Sequence, residues 1–301
     1  MMLWLWMSLG WATETSMDDV YRLQRQGQYV EAGEILHEMM LQEETIEHQF
    51  EWARNLELQG KYEAAVLEYD ALYKHRLKGD FGLNVAYRRA LVLSNVGRHR
   101  EALRTLNRLR WRRLRATDRR AVLLALGSAE IMAGKTEKGM HRVERTLESL
   151  ETPTEWSWLQ TRARLSICQA LLGMAQETEL LLTDELNALM DERANWILAA
   201  ERHIRMIIQL QEPDHVLQSI EALADALVLF HDELVSLPPP EDFSTTQQEL
   251  LEERLAQHSE MLLDKALGYY QLAERYGSDL SWTGPELPRI QAKVRVLKQE
   301  I

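Results

Sequence analysis

Arginines are the side chains best suited to chemistry in this sequence, and they are bunched. Ten lie between residues 98 and 120 against Glu101 and Asp118 alone, a local charge of +8 in a chain of net charge −12, which leaves −20 elsewhere. A guanidinium is permanently charged and presents a planar fork of donors, so such a cluster suits carboxylates and other bidentate anions. Arg100, Arg104 and Arg108 recur every four residues and Arg112 continues the row, while Ala102, Leu103, Leu106 and Leu109 fall on another face. Like charges so spaced on a helix repel by roughly 0.2–0.5 kcal/mol each. Arg119 and Arg120 open the next helix, where the dipole disfavours cations by about 0.3–1 kcal/mol. Two readings of this basic block follow. Either Glu-rich neighbours or water compensate it on a convex face, or it meets an acidic protein or polyanionic envelope component. The acidic remainder argues against general nucleic-acid or anionic-membrane binding.

Other reactive types are scattered. Nine histidines form no His-Glu-x-x-His or comparable ligand spacing. His231-Asp232-Glu233, just before a proline run, is the nearest thing to a metal contact and reads as a solvated helix end. Cys168 is the only cysteine, which excludes an internal disulfide or a cysteine-rich zinc site. It sits between Leu165 and Ala170 and reads as a buried, inert thiol. Glycines occur singly, without a phosphate-binding loop or a Gly-x-Ser-x-Gly elbow. Nothing here indicates a cofactor, a metal or catalysis, and the chain reads as non-enzymatic.

The positioning elements are legible through punctuation. Gly27, Gly60, Gly97, Gly134 and Gly173 open similar segments at spacings of 33, 37, 37 and 39 residues. Gly closes a helix in the left-handed conformation and lets the next run back against it. Tyr29, Tyr62 and His99 follow by two residues, and Ala32, Ala65, Ala102 and Gly139 by five. Ala53, Ala90 and Gly127 precede by seven, and Leu36, Tyr69, Leu106 and Val143 follow the second small residue by four. Such a period marks stacked helix pairs. Gly and Pro are scarce, at 14 and 7 residues, and no alternating β pattern occurs, so the fold class is all-α.

At these positions the chain resembles tetratricopeptide-repeat proteins over roughly residues 17–190. It departs from them in the usual early Trp and closing Pro, and in Thr178 where Ala is expected. The resemblance implies a right-handed solenoid of about five helix pairs followed by a C-terminal helical extension. It also implies a concave groove lined by the first helix of each pair. Register taken from the glycines turns Phe50, Arg54 and Glu57, then Asn84, Tyr87, Leu91 and Ser94, then Leu124 and Ser128 toward that groove. This lining suits an extended or helical peptide; the alternative is ordinary solvated positions. The Lys/Asn/Arg pattern by which some members clamp a terminal carboxylate is not matched.

Residues 1–12, Met-Met-Leu-Trp-Leu-Trp-Met-Ser-Leu-Gly-Trp-Ala, resemble the apolar region and cleavage site of a signal peptide, although no Lys or Arg precedes Arg22. The other reading is an apolar helix capping the solenoid. Residues 13–190 are assigned to the solenoid and 191–301 to the C-terminal helices, with a proline-rich break at 237–243. A long helix over 246–276 is expected to start at a capping box of Thr245 with Gln248 or Thr246 with Glu249. The C-terminal part, with Tyr269-Tyr270, Tyr276, Gly277 and Trp282, is similar to uncharacterised repeat proteins of bacterial envelopes. The expected function is a protein-interaction scaffold exported to the periplasm or envelope, binding a protein or peptide. If the leader is structural, a cytoplasmic adaptor follows instead.

Overall fold

The computed structural model describes residues 16–109, 114–150, 152, 156–182, 185–239 and 243–300, and among them the only regular structure is helical. The helices are α1 (Met17–Arg25), α2 (Tyr29–Gln42), α3 (Ile46–Leu58), α4 (Tyr62–Lys74), α5 (Gly79–Asn95), α6 (His99–Asn107) and α7 (Ala116–Met132). There follow α8 (Thr136–Glu148), α9 (Ser157–Glu177), α10 (Leu186–Leu210), α11 (Pro213–Val235), α12 (Thr245–Asp279) and α13 (Glu286–Glu300). The apolar leader and Arg112 lie outside the described residues.

Four of the marked glycines close hairpins in one way. Gly27, Gly60, Gly97 and Gly134 have φ of 75°, 71°, 76° and 75°. At each, the glycine amide bonds back three residues and the next amide bonds back five. Gly60 donates to Glu57 O (3.0 Å) and Lys61 to Leu56 O (2.9 Å). Orphan carbonyls at the helix end are thereby satisfied, and the second helix starts antiparallel. Gly173 does not belong to this set. It lies inside α9, which continues to Glu177, because its flanks are good helix formers and nothing there requires a left-handed residue.

Small residues set the depth of each crossing. Ala32, Ala53, Ala65, Ala90 and Ala102 are fully buried. In the fourth pair even a methyl is too large: a Cβ on Gly139 would lie 2.7 Å from the Gly127 carbonyl oxygen. Leu36, Tyr69, Leu106 and Val143 are likewise fully buried.

Pairs α1/α2, α3/α4, α5/α6, α7/α8 and α9/α10 stack in order, each second helix touching the next first helix. The inner layer of first helices runs α5 on α7, α7 on α9 and α9 on α11. Stacking therefore continues past residue 190, which falls inside α10. The C-terminal extension begins with a sixth hairpin, α11/α12. Pro213 opens α11 at a first-turn position, where its missing amide costs nothing. Ser244, rather than Thr245 or Thr246, caps α12, boxed with Gln247. α13 seats Ile290, Val294 and Leu297 on α11 and α12.

The loop after α12 returns to the first repeat. The Thr283 amide and hydroxyl both donate to Gln26 O, at 2.8 and 3.1 Å. Trp282, 2 % exposed, meets Tyr29 edge-on with centroids 6.0 Å apart. A Cβ on Gly27 would fall 2.8 Å from the Gly284 nitrogen.

Three substitutions separate these roles in urea unfolding. No atom lies within 4 Å of a Cβ at Gly60, so Gly60→Ala should lose only the strain of a left-handed alanine, about 1–2 kcal/mol. Gly27→Ala should lose more, because it also displaces Gly284. Gly173→Ala should gain about 0.5–1 kcal/mol. Equal losses at Gly27 and Gly60 would remove the terminal closure, and a loss at Gly173 would restore a turn there.

Candidate functional site: the inner cleft

Helical spacing puts Phe50, Arg54 and Glu57 on one side of α3, Asn84 and Arg88 on one side of α5, and Trp158 and Arg162 on one side of α9. Glu212 and His215 complete the lining from the start of α11. Past Glu57, Arg162 and His215 the space widens to about 980 Å3. That part is bounded by the Gly27 and Gly60 turns and by Thr283, Gly284 and Glu286 of the returning loop.

One buried chain of contacts ties the walls together. Glu57 Oε2 accepts from the Tyr69 hydroxyl (3.0 Å) and from Arg88 Nη1 (3.0 Å). The Arg88 guanidinium lies 4.2 Å over the Trp158 ring, a cation–π contact. Burial works against the Arg88 charge, but Glu57 more than offsets it and holds the group above its ordinary value. Burial, then Glu57, pushes the Tyr69 phenol up. Arg54 pairs with Glu51 (3.1 Å), Arg162 donates to Asn95 Oδ1, and Ser157 donates to Glu212 (3.0 Å). His215 has no acid partner among the described residues. Burial, then the Arg162 and Arg88 charges, push it down to about 3, so it is neutral at physiological pH.

Five polar atoms of this lining have no hydrogen-bond partner within the described protein: Arg54 Nε, Asn84 Oδ1, Arg88 Nε, Arg162 Nε and His215 Nδ1. An unsatisfied buried polar group costs about 1–3 kcal/mol.

Of the groove residues expected from sequence, Phe50, Arg54, Glu57 and Asn84 line the cleft and Tyr87 and Leu91 do not. Tyr87 is fully buried, donates to Asp118 O (3.3 Å) and packs edge-on against Trp156, and Leu91 is 1 % exposed. Ser94, Leu124 and Ser128 are core as well. One residue along a helix is a rotation of about 100°, and the inner row of α5 is 84/88 rather than 87/91. Arg88, Trp158, Arg162 and His215 were missed. The Asn84–Arg88 and Trp158–Arg162 spacings, polar on otherwise apolar helices, were the available signal.

In the basic block, Arg100, Arg104 and Arg108 lie exposed on α6 and make no ion pair among the described residues. Glu101 is taken by Arg98, and Asp118 by Arg115. The row faces solvent rather than an acidic neighbour. Cys168 is 1 % exposed, and burial pushes its thiol up to about 12, too high for a nucleophile. His231 Nδ1 faces Ser259 O (3.2 Å) across α11/α12, while Glu233 pairs with Arg193, so that acidic-His triplet is split between two structural contacts. Among the described residues no three His, Cys, Asp or Glu converge to hold a metal, and no helix is long and apolar enough to cross a membrane.

The hairpin geometry decides the class. The fold is a tetratricopeptide-like solenoid. A solved tetratricopeptide repeat protein from Parabacteroides merdae ATCC 43184 is similar, with 16% identity over 94% of this chain and 97% of that one, at a TM-score of 0.37. The fold follows from the helix pairs themselves. No protein-family model matches the sequence, and no curated protein does.

Neutral His215 gives this site a pH signature. The unfolded chain takes a proton near the ordinary value of 6.5 and the folded chain only near 3. Its contribution is therefore complete above about pH 6.5 and lost as pH falls toward 3. Between about pH 7 and pH 5, His215→Gln should gain on the wild type by on the order of 1 kcal/mol in urea titrations. A constant difference would mean that His215 protonates freely in the folded protein.

Proposed function

We propose that this chain is a non-enzymatic interaction scaffold that holds a peptide segment of a protein partner in the inner cleft. The polar lining carries this reading: Arg54, Asn84 and Arg162, each partly exposed in the cleft, present guanidinium donors and an amide from α3, α5 and α9 that suit the carbonyls and amides of an extended backbone. Phe50 and Trp158 add aromatic edges to the same lining. The titratable groups of the cleft are committed elsewhere: Glu57 is held by Tyr69 and Arg88, and His215 lacks an acid to orient it as a base.

For the compartment, the apolar run at 1–12 supports export to the periplasm or envelope, and a cytoplasmic adaptor is the alternative. Intact mass of the protein from its native host separates the two. Loss of the first twelve residues is expected, and retention with full activity would favour the adaptor.

Occupancy of the cleft is tested by a photocrosslinking residue at Asn84, with one at exposed Glu144 on α8 as control. Partner adducts should form at position 84, map to one short segment of the partner, and fall about tenfold or more in Arg54→Ala/Arg162→Ala. Adducts at position 144 alone would move binding to the outer surface.

A further inference from the structure

A second depression, of about 1200 Å3, lies between the end of α4, the start of α5, the end of α6 and the start of α7. Its floor is apolar: Leu72, Leu77, Leu83, Val85, Leu109 and Leu114. Leu77, Leu83, Leu109 and Leu114 are only partly covered, so the floor is reachable. Its rim is cationic. Lys74, Arg76, Lys78 and Arg108 stand around it exposed, and none pairs with an acid among the described residues. The two rim acids, Asp80 and Asp118, are both taken by Arg115, at 2.5 and 2.9 Å. Arg108 is also the lower end of the exposed α6 row, which extends the positive track through Arg104 to Arg100, about 12 Å at 1.5 Å per residue. The wall is set by close packing, since a Cβ on Gly82 would collide with the Leu77 carbonyl.

We infer that this depression docks an acidic amphipathic segment of a protein partner, independently of what occupies the inner cleft. Apolar side chains of the segment seat on Leu77, Leu83 and Leu109, and its carboxylates meet Lys74, Arg76, Lys78 and Arg108. Both halves of the surface are needed to choose the partner. Leucines in a concave floor have no counterpart on a nucleic-acid backbone. A flat anionic bilayer cannot reach into the depression, and it would confront the −20 carried by the remaining chain. Bidentate guanidinium–carboxylate pairing at the rim of an apolar contact gives both orientation and fast encounter.

The test titrates the full chain into a labelled helical peptide carrying Leu at i, i+3, i+4 and i+7 with Glu elsewhere. The scrambled peptide, a single-stranded oligonucleotide and phosphatidylglycerol vesicles serve as comparisons. The amphipathic peptide should bind at low salt, about tenfold or more tighter than the others, and weaken as salt rises. Lys78→Glu/Arg108→Glu, both exposed and so harmless to folding, should cut its affinity by about tenfold or more. Arg295→Glu/Lys298→Glu, the same charge change on α13, should leave it unaltered. Leu77→Asn, with helical content checked by circular dichroism, should also weaken it. Three results overturn the inference: no binding of the amphipathic peptide, binding indifferent to Lys78→Glu/Arg108→Glu, or oligonucleotide or vesicle binding of equal strength lost in that same variant.

Discussion

A helix pair can fold back on itself only if the chain reverses within two or three residues while the last carbonyls of the first helix stay satisfied. Four glycines meet that constraint with the same two hydrogen bonds, and the rest of the architecture follows from it. Reversal in so short a distance brings the facing helices close, which is why Ala or Gly stands on both helices where α3 crosses α4, α5 crosses α6 and α7 crosses α8. Close crossing leaves each pair with one apolar face uncovered, and the next pair covers it. First helices then share one side of the stack, and their polar rows line the cleft. The same device persists where the glycine mark is lost. Ser281 takes φ 52° after α12, with Ser281 N donating to Ser278 O and Trp282 N to Gly277 O. Gln211 takes φ 58° before Pro213.

Legibility in the sequence tracks how local each cause is. The first four turns and the small residues at the crossings are each decided within about a dozen residues, and they were readable. Gly173 misled because a glycine in a helix interior and one at its end look alike until the following turn is known. The groove was misjudged by a single step along α5. Tyr87 and Arg88 are adjacent, either could face inward, and the choice is made by Glu57, 31 residues away. The sixth hairpin was hidden because its connection carries prolines instead of the repeat's glycine. The bond from Thr283 to Gln26 spans 257 residues and has no local trace.

Charge inside the solenoid is arranged for definition more than for strength. Arg88 and Glu57 are 11% and 17% exposed at their side chains, and Arg193, 1 % exposed, combines Glu233 with the Phe230 ring. Ion pairs so enclosed recover little beyond their desolvation cost, but breaking one leaves a stranded charge. Arg88 therefore fixes the relative rotation of α3, α5 and α9 about the cleft. Arg100, Arg104 and Arg108 do the opposite: left to solvent, they cost little and remain available.

Ordinary repeat arrays are open strings, whose outermost units have one neighbour each and melt first. Here Thr283, Trp282 and Gly284 return to Gln26, Tyr29 and Gly27, so the first unit has a neighbour on both sides. The string becomes a clasped bracelet. Loss of any single unit now also releases the clasp, which couples distant units into one cooperative event.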